Sequence, residues 1–335
     1  MPNTPEIGHM SGIKLANHTP LKARPDTPDC RTNVNPRDED NLEHRPNILY
    51  KYRAATDRTL DSIATQSIWL SLPTNLNDPL ECRTGMVSPK EAKELVRRME
   101  EAAVLGLLTK PQIYSLTFDE TQRWSDSVRR KSHRAKYQAV REMAQRHGVR
   151  LSSPKDIVKN FKTRVSKVGI LSLSEDSNNE LMWAHYADEH RGLVLGFSSE
   201  PHTLLGGQNT IPVTYSDSPR GSVADGFNQR IAMRRTTSGG QVWKSEIPFE
   251  SELFRAVIST KPTSWEYEKE WRYVEHNHGL RPWLSPLVSV TFGVRMAASE
   301  CRRYQALVRN SMSDTVEFYT MRVSSENKLH RHRLE

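Results

Sequence analysis

Trp265-Glu266-Tyr267-Glu268-Lys269-Glu270-Trp271-Arg272-Tyr273-Val274 is an aromatic, strand-like run that carries two carboxylates two residues apart. Residues two apart in a strand point to the same face, so the spacing predicts Glu268 and Glu270 on one side. Tyr267, Trp271 and Tyr273 then share the other side. Like charges side by side on a sheet repel. A fold that keeps such a pair either solvates it or uses it where cationic charge appears.

Working outward, further strands are expected at Ile48 to Arg53, Ile68 to Leu72, Val168 to Ser174, Gly192 to Phe197, Ile211 to Tyr215, Glu268 to Glu275, Leu287 to Phe292 and Val316 to Val323. Helical spacing and caps predict helices after Thr56 to about Gln66, from Ser88 to about Leu108, from Ser125 or Asp126 to Arg146, from Ser153 to about Val165, from Asn179 to Asp188 and from Ala297 to Val308. Pro73 to Pro79 is dense in turn formers. Strands and helices mix without regular βαβ alternation, so the fold class is read as α+β, with mixed or antiparallel central sheets.

The chain has 335 residues, 36% of them hydrophobic, and a formal net charge of +8. That length suits one large domain or two modest ones. No apolar run approaches the roughly 20 residues of a bilayer span, so no membrane partner is expected. Cys30, Cys82 and Cys301 fit neither a disulfide framework nor a zinc site. Residues 87 to 168 hold nineteen Lys/Arg against nine Asp/Glu, an excess that accounts for the whole positive balance. The organisation read from these patterns has three parts. Residues 1 to 45 form a disordered polar leader, 46 to 325 a single domain with a basic helical insertion at about 88 to 166, and 326 to 335 a flexible tail.

Several blocks, in order, resemble the bacterial domain of unknown function 2971 family. They are Leu49 to Arg53, Asn77-Asp78-Pro79-Leu80-Glu81-Cys82, Leu171 to Ser174, Met182-Trp183-Ala184-His185-Tyr186-Ala187, His190 to Val194, Trp265 to Arg272 and Val290 to Met296. A fainter likeness is to ADP-ribosyltransferases, many of which carry an early-strand Arg, a middle-strand Ser-x-Ser and a later Glu-x-Glu. Arg53, Ser172 with Ser174, and Glu268 with Glu270 stand in that order.

That second resemblance implies an enzyme that cleaves NAD+, with no tightly bound cofactor and with NAD+ itself as substrate. A carboxylate near the ribose stabilises the oxocarbenium-like transition state, the role assigned to Glu270. Glu268 would orient or deprotonate the acceptor, an unidentified macromolecule or water. Arg53 would fork onto phosphates, Ser172 and Ser174 would support the carboxylate, and Tyr52 or Trp183 would stack on nicotinamide. Asn77 and Asp78, in a turn stiffened by Pro79, would face the ligand. Met182, His185 and Tyr186 lie on neighbouring surfaces of a short helix.

Each residue has a plainer reading. Arg53 could pair with Glu81, the serines could be half-exposed strand positions, and Glu270 with Arg272 and Glu268 could form an ion-pair ladder. No metal is expected, because His185 and His190 lack the spacing of a helical ligand pair. Two function classes stay open. One is an NAD+-cleaving, ADP-ribosyltransferase-like enzyme of a bacterial toxin, effector or defence system. The other is a nucleic-acid-binding or nuclease-type protein using the basic helices. Either is expected in the cytoplasm, the former also in a host cell if the leader serves delivery.

Overall fold

A computed structural model describes residues 45–78, 81–82, 94, 97, 116–146, 154–217, 230–235, 241–246, 251–312 and 315–334. The expected leader and the helix predicted from Ser88 lie outside these residues, apart from Arg45, Glu94 and Arg97.

In chain order the elements are β1 (Ile48–Arg53), α1 (Asp57–Ala64), β2 (Ser67–Leu70), a 3₁₀ turn (Pro73–Asn75), α2 (Phe118–Arg129), α3 (His133–Arg146) and α4 (Pro154–Val165). Then come β3 (Gly169–Ser174), α5 (Glu180–Tyr186), β4 (Leu193–Ser198), β5 (Thr210–Pro212), β6 (Thr214–Tyr215), β7 (Arg230–Arg235), β8 (Gln241–Glu246), α6 (Glu252–Ser259) and β9 (Thr260–Lys261). A second 3₁₀ segment (Thr263–Glu268) leads to β10 (Glu270–Glu275), β11 (Gly279–Pro282), β12 (Leu287–Phe292), α7 (Ala298–Ser311), β13 (Glu317–Val323) and β14 (Leu329–Arg333).

Among the described residues the main sheet has eight strands in the order β14-β13-β12-β4-β1-β3-β10-β5. All neighbours run antiparallel except β12 and β13, which are parallel. The fold is α+β.

Opposed residues of an antiparallel pair share a face. Tyr50 faces Ser174, which also faces Glu270. Tyr50, Tyr52, Ser172, Ser174, Glu270 and Arg272 therefore point to one side, and Leu49, Lys51, Arg53, Leu171, Leu173, Trp271 and Tyr273 to the other. The second side packs with Ile63 of α1 and with Tyr304 and Val308 of α7 in one core cluster. The first packs under Met182 and Trp183 of α5 and under Leu253, Phe254, Val257 and Ile258 of α6. Each of these large apolar side chains contributes about 1.5–3 kcal/mol by leaving water, so helices clamp the sheet from both sides.

Three differences from the expected elements have clear causes. The helix expected from Ser125 or Asp126 to Arg146 is two helices. The first starts earlier because Thr117 and Glu120 form a reciprocal capping box, and it ends at Arg129 with Arg130 as its C-cap. The tail is a strand rather than a flexible end. Leu329 to Arg333 pair with Tyr319 to Val323 after a turn at Asn327, whose φ of 59° is left-handed. Tertiary pairing outweighs the polar composition of Leu329-His330-Arg331-His332-Arg333, which reads as a tail. Finally, Glu268 closes a 3₁₀ turn and Lys269 adopts left-handed φ 42°, ψ 53°, so the strand begins only at Glu270. The run from Glu268 to Glu275 is thus not one strand, and a kink brings both carboxylates to the same place.

Candidate active site

Strands β1 and β3 are paired at one position, Tyr50 with Ser174, and then part. Beyond it the end of β3 turns to Ser71, which exchanges two backbone hydrogen bonds with Ile170. The gap between β1 and β3 is a cavity of about 250 Å³, lined by Lys51 and Arg53 from one face of the sheet, by Glu270 from the other, and by Arg58, Trp69, Tyr186 and Glu268. Its walls include Tyr50, Tyr52, Ser172, Ser174, Asn77, Glu81, Lys261 and Arg272.

The acidic bank is a buried ionic network. Arg272, 1% exposed, donates Nε to Glu270 Oε1 at 2.8 Å and a terminal nitrogen to Glu270 Oε2 at 2.9 Å. It also bonds Glu81 and donates to the Ile258 carbonyl at 2.6 Å. The Lys261 ammonium sits among three carboxylates, 3.1 Å from Glu81, 2.8 Å from Glu270 and hydrogen-bonded to Glu268. Three carboxylates thus face two cations. Burial pushes the Glu270 carboxyl up, but Arg272 and Lys261 outweigh it and hold the pKa down to about 2. At Glu268 burial wins, helped by the Glu270 charge, and the pKa is raised. Burial and charge thus push the two carboxyls in opposite directions, Glu270 toward the ionised form and Glu268 toward the protonated one.

Glu268 is reached by a relay. Tyr186 on α5 donates its hydroxyl to Glu268 Oε1 at 2.5 Å and accepts from Asn77 Nδ2 at 2.7 Å. Asn179 caps α5 through Met182 N–H and ties the helix to the Tyr267 carbonyl. Ser174 Oγ donates to the Glu268 carbonyl at 2.7 Å, holding the kinked turn. Ser174 therefore supports the backbone of the carboxylate residue, not its side chain.

The basic bank is differently made. Lys51 Nζ donates to the Ser172 carbonyl at 2.7 Å, an acceptor the parted strands leave open. Burial, then the Arg53 charge, lowers the Lys51 pKa to about 7 against the pull of Glu270 and Glu268. Arg53 Nε is buried and has no hydrogen-bond partner among the described residues. Burial and nearby Arg58 depress its pKa. The expected alternative of an Arg53–Glu81 pair is not formed, since Glu81 is taken by Arg272 and Lys261.

Of the sequence-predicted residues, Arg53, Tyr52, Ser172, Ser174, Asn77, Tyr186, Glu268, Glu270 and Arg272 line the cavity. Of the expected ion-pair ladder, the Glu270–Arg272 pair is bidentate, whereas Glu268 is joined to it through Lys261 and not through Arg272. Trp183 and Tyr52 are not available for stacking. Trp183 is fully buried, donates to the Ser177 carbonyl and meets Tyr52 edge-on at 5.5 Å, and the Tyr52 hydroxyl donates to the Asp176 carbonyl. Asp78 is buried and His185 is an exposed helix position, neither lining the cavity. Sequence reasoning missed Lys51, Arg58, Trp69 and Lys261. Lys51 was legible in principle, being two residues before Arg53 on the same strand side. Trp69, 39% exposed, adds an aromatic ring to the lining and meets His278 edge-on at 6.4 Å.

Among the described residues no helix is long and apolar enough to cross a membrane. No curated protein and no solved structure matches the chain, so the likeness to ADP-ribosyltransferases rests on residue order alone. A family model described as a protein of unknown function, DUF2971, matches residues 182–273, which exclude the blocks at Leu49, Asn77, Leu171 and Val290. Over that stretch, which holds Tyr186, Lys261, Glu268, Glu270 and Arg272, the chain is similar to DUF2971.

Proposed function

We propose that the cavity binds NAD+ and breaks the bond between nicotinamide and ribose. The observation that carries this reading is the meeting, in one cavity, of Arg53, whose buried Nε has no hydrogen-bond partner among the described residues, with an acidic bank in which the Glu270 carboxyl is shifted down and the Glu268 carboxyl up. Arg53, with Arg58, holds phosphate oxygens, and Trp69 offers its face to an aromatic ring. The glycosidic bond breaks with its electron pair leaving on nicotinamide, and Glu270 stabilises the positive charge that develops on the ribose. Glu268 accepts the proton of the attacking acceptor, water or a macromolecular hydroxyl, with Tyr186 and Lys261 fixing its orientation. At about 250 Å³ the cavity is at the small end for ligand sites, so it takes the nicotinamide–ribose half and leaves the adenine end outside.

Calorimetric titration with NAD+ tests the binding step. Arg53→Met should weaken binding about tenfold or more, as expected for loss of a charge-assisted hydrogen bond. Equal affinity in wild type and Arg53→Met contradicts the phosphate role.

The second reading is nucleic-acid binding by α2 and α3. Between Leu116 and Arg146 there are eight Lys/Arg against four Asp/Glu, and Arg129, Arg130 and Lys131 are exposed. Affinity for RNA or DNA that falls steeply with salt, and is lost when those three are neutralised, supports it. Under the first reading the protein acts as a toxin, effector or defence enzyme in a bacterial or host cytoplasm.

A further inference from the structure

We propose that Lys51 is a covalent capture residue for phosphorylated sugars, forming an imine with the open-chain aldehyde while Arg53 and Arg58 hold the phosphate. The inference goes beyond NAD+ cleavage and its test does not require that reaction. It stands first on geometry. Lys51 and Arg53 are two apart on β1 and point to the same side of the sheet, about 7 Å apart along the strand. Arg58 lies in the first turn of the next helix, and all three line one cavity. Among the described residues no carboxylate forms an ion pair with Lys51, Arg53 or Arg58, whereas Lys261 in the same cavity has three. The basic bank therefore has unspent affinity for an anion, since Glu268 and Glu270 act on Lys51 only from beyond ion-pair distance and are themselves held by Lys261 and Arg272.

The second element is the state of the amine. The groups facing Lys51 are Arg53 on β1, Glu270 on β10, Glu268 on the 3₁₀ turn and Lys261 on β9, and with burial they bring it to half-protonation near neutral pH. A neutral amine keeps its hydrogen bond to the Ser172 carbonyl through N–H and still has a lone pair for a carbonyl carbon. The nitrogen adds to the aldehyde carbon and the C=O becomes C–OH. Both amine hydrogens then leave with that oxygen as water, and a C=N bond remains. An external reductant delivering hydride to the imine carbon makes the link permanent.

The experiment is reductive trapping of the full-length protein with ribose 5-phosphate and sodium cyanoborohydride, read by intact mass and peptide mapping. The expected result is a single adduct on Lys51 whose rate rises through about pH 7. Lys51→Met should remove it, with a far-ultraviolet spectrum confirming the fold. Arg53→Ala should raise the ribose 5-phosphate concentration for half-labelling by about tenfold. Unphosphorylated ribose should label Lys51 at least about tenfold less efficiently for the same reason. No adduct, adducts confined to other lysines, or equal labelling of Lys51 by ribose and ribose 5-phosphate each overturn the proposal. Trapping on Lys51 without nicotinamide release from NAD+ would sustain it while removing the glycosidic reading, and the converse would do the reverse.

Discussion

Replacing Arg272 by Met should be among the most damaging single changes in the domain. The guanidinium is 1% exposed and bonds Glu270 twice, Glu81 once and the Ile258 carbonyl once. Without it, Glu81, Glu268 and Glu270 face Lys261 alone. Removing one partner of a buried ion pair leaves uncompensated charge and destabilises by about 3–5 kcal/mol. At about 2–4 °C per kcal/mol for a domain of this size class, the melting temperature should fall by roughly 10 °C. The double variant Arg272→Met/Glu270→Gln restores part of the charge balance and should recover about 2 kcal/mol or more, a coupling typical of contacting residues. Urea unfolding of wild type, both singles and the double, followed by circular dichroism at pH 7.5, measures this cycle. A loss below about 1 kcal/mol for Arg272→Met, within the ordinary range for single substitutions, would mean that the buried network does not hold the domain together. So would additive losses in the double.

Two further predictions concern the basic bank and its surroundings. Because the Lys51 pKa falls from 10.5 unfolded to about 7 folded, the unfolded chain binds the extra proton between those values. The stability deficit from burying this amine is complete below pH 7 and relieved as pH rises to 10.5, so Lys51→Met should unfold later than wild type at pH 6, with the advantage gone by pH 10.5. Thermal melts at the two pH values check the sign. Gly192→Ala should destabilise by about 1–3 kcal/mol, since a Cβ there would lie 2.2 Å from the Arg53 carbonyl and 2.8 Å from that of Ala187; chemical denaturation reads it, and an unchanged midpoint contradicts the packing.

Much of this was legible because local rules and packing agree. The Ile48–Arg53 strand, the buried runs at Gly169–Ser174, Leu193–Ser198 and Leu287–Phe292, and the Asn179-capped helix carry their own signals of β-branched runs and caps. What sequence could not carry is where strands separate. The order Arg53, Ser172, Glu270 is readable, but alternation places Arg53 on the opposite face from the other two, and they meet only because β1 leaves β3 after Tyr50. Glu268 was misread as strand because nothing in Glu268-Lys269-Glu270 announces a left-handed lysine. Lys261, four residues before the Trp265 run and in none of the quoted motifs, joins the site through tertiary pairing of β9 with β6. A short, two-residue strand of that kind has no pattern long enough to detect.

If the acidic bank breaks the nicotinamide–ribose bond, the rate of nicotinamide release from NAD+, followed by chromatography, must differ between wild type and Glu268→Gln. Glu268→Gln keeps the Tyr186 contact and leaves the Glu270–Arg272 pair intact, so the fold should survive while release falls by about 10²–10⁴-fold, the share of a general base. Release that is absent in the folded wild type, or unchanged in Glu268→Gln, would contradict the account.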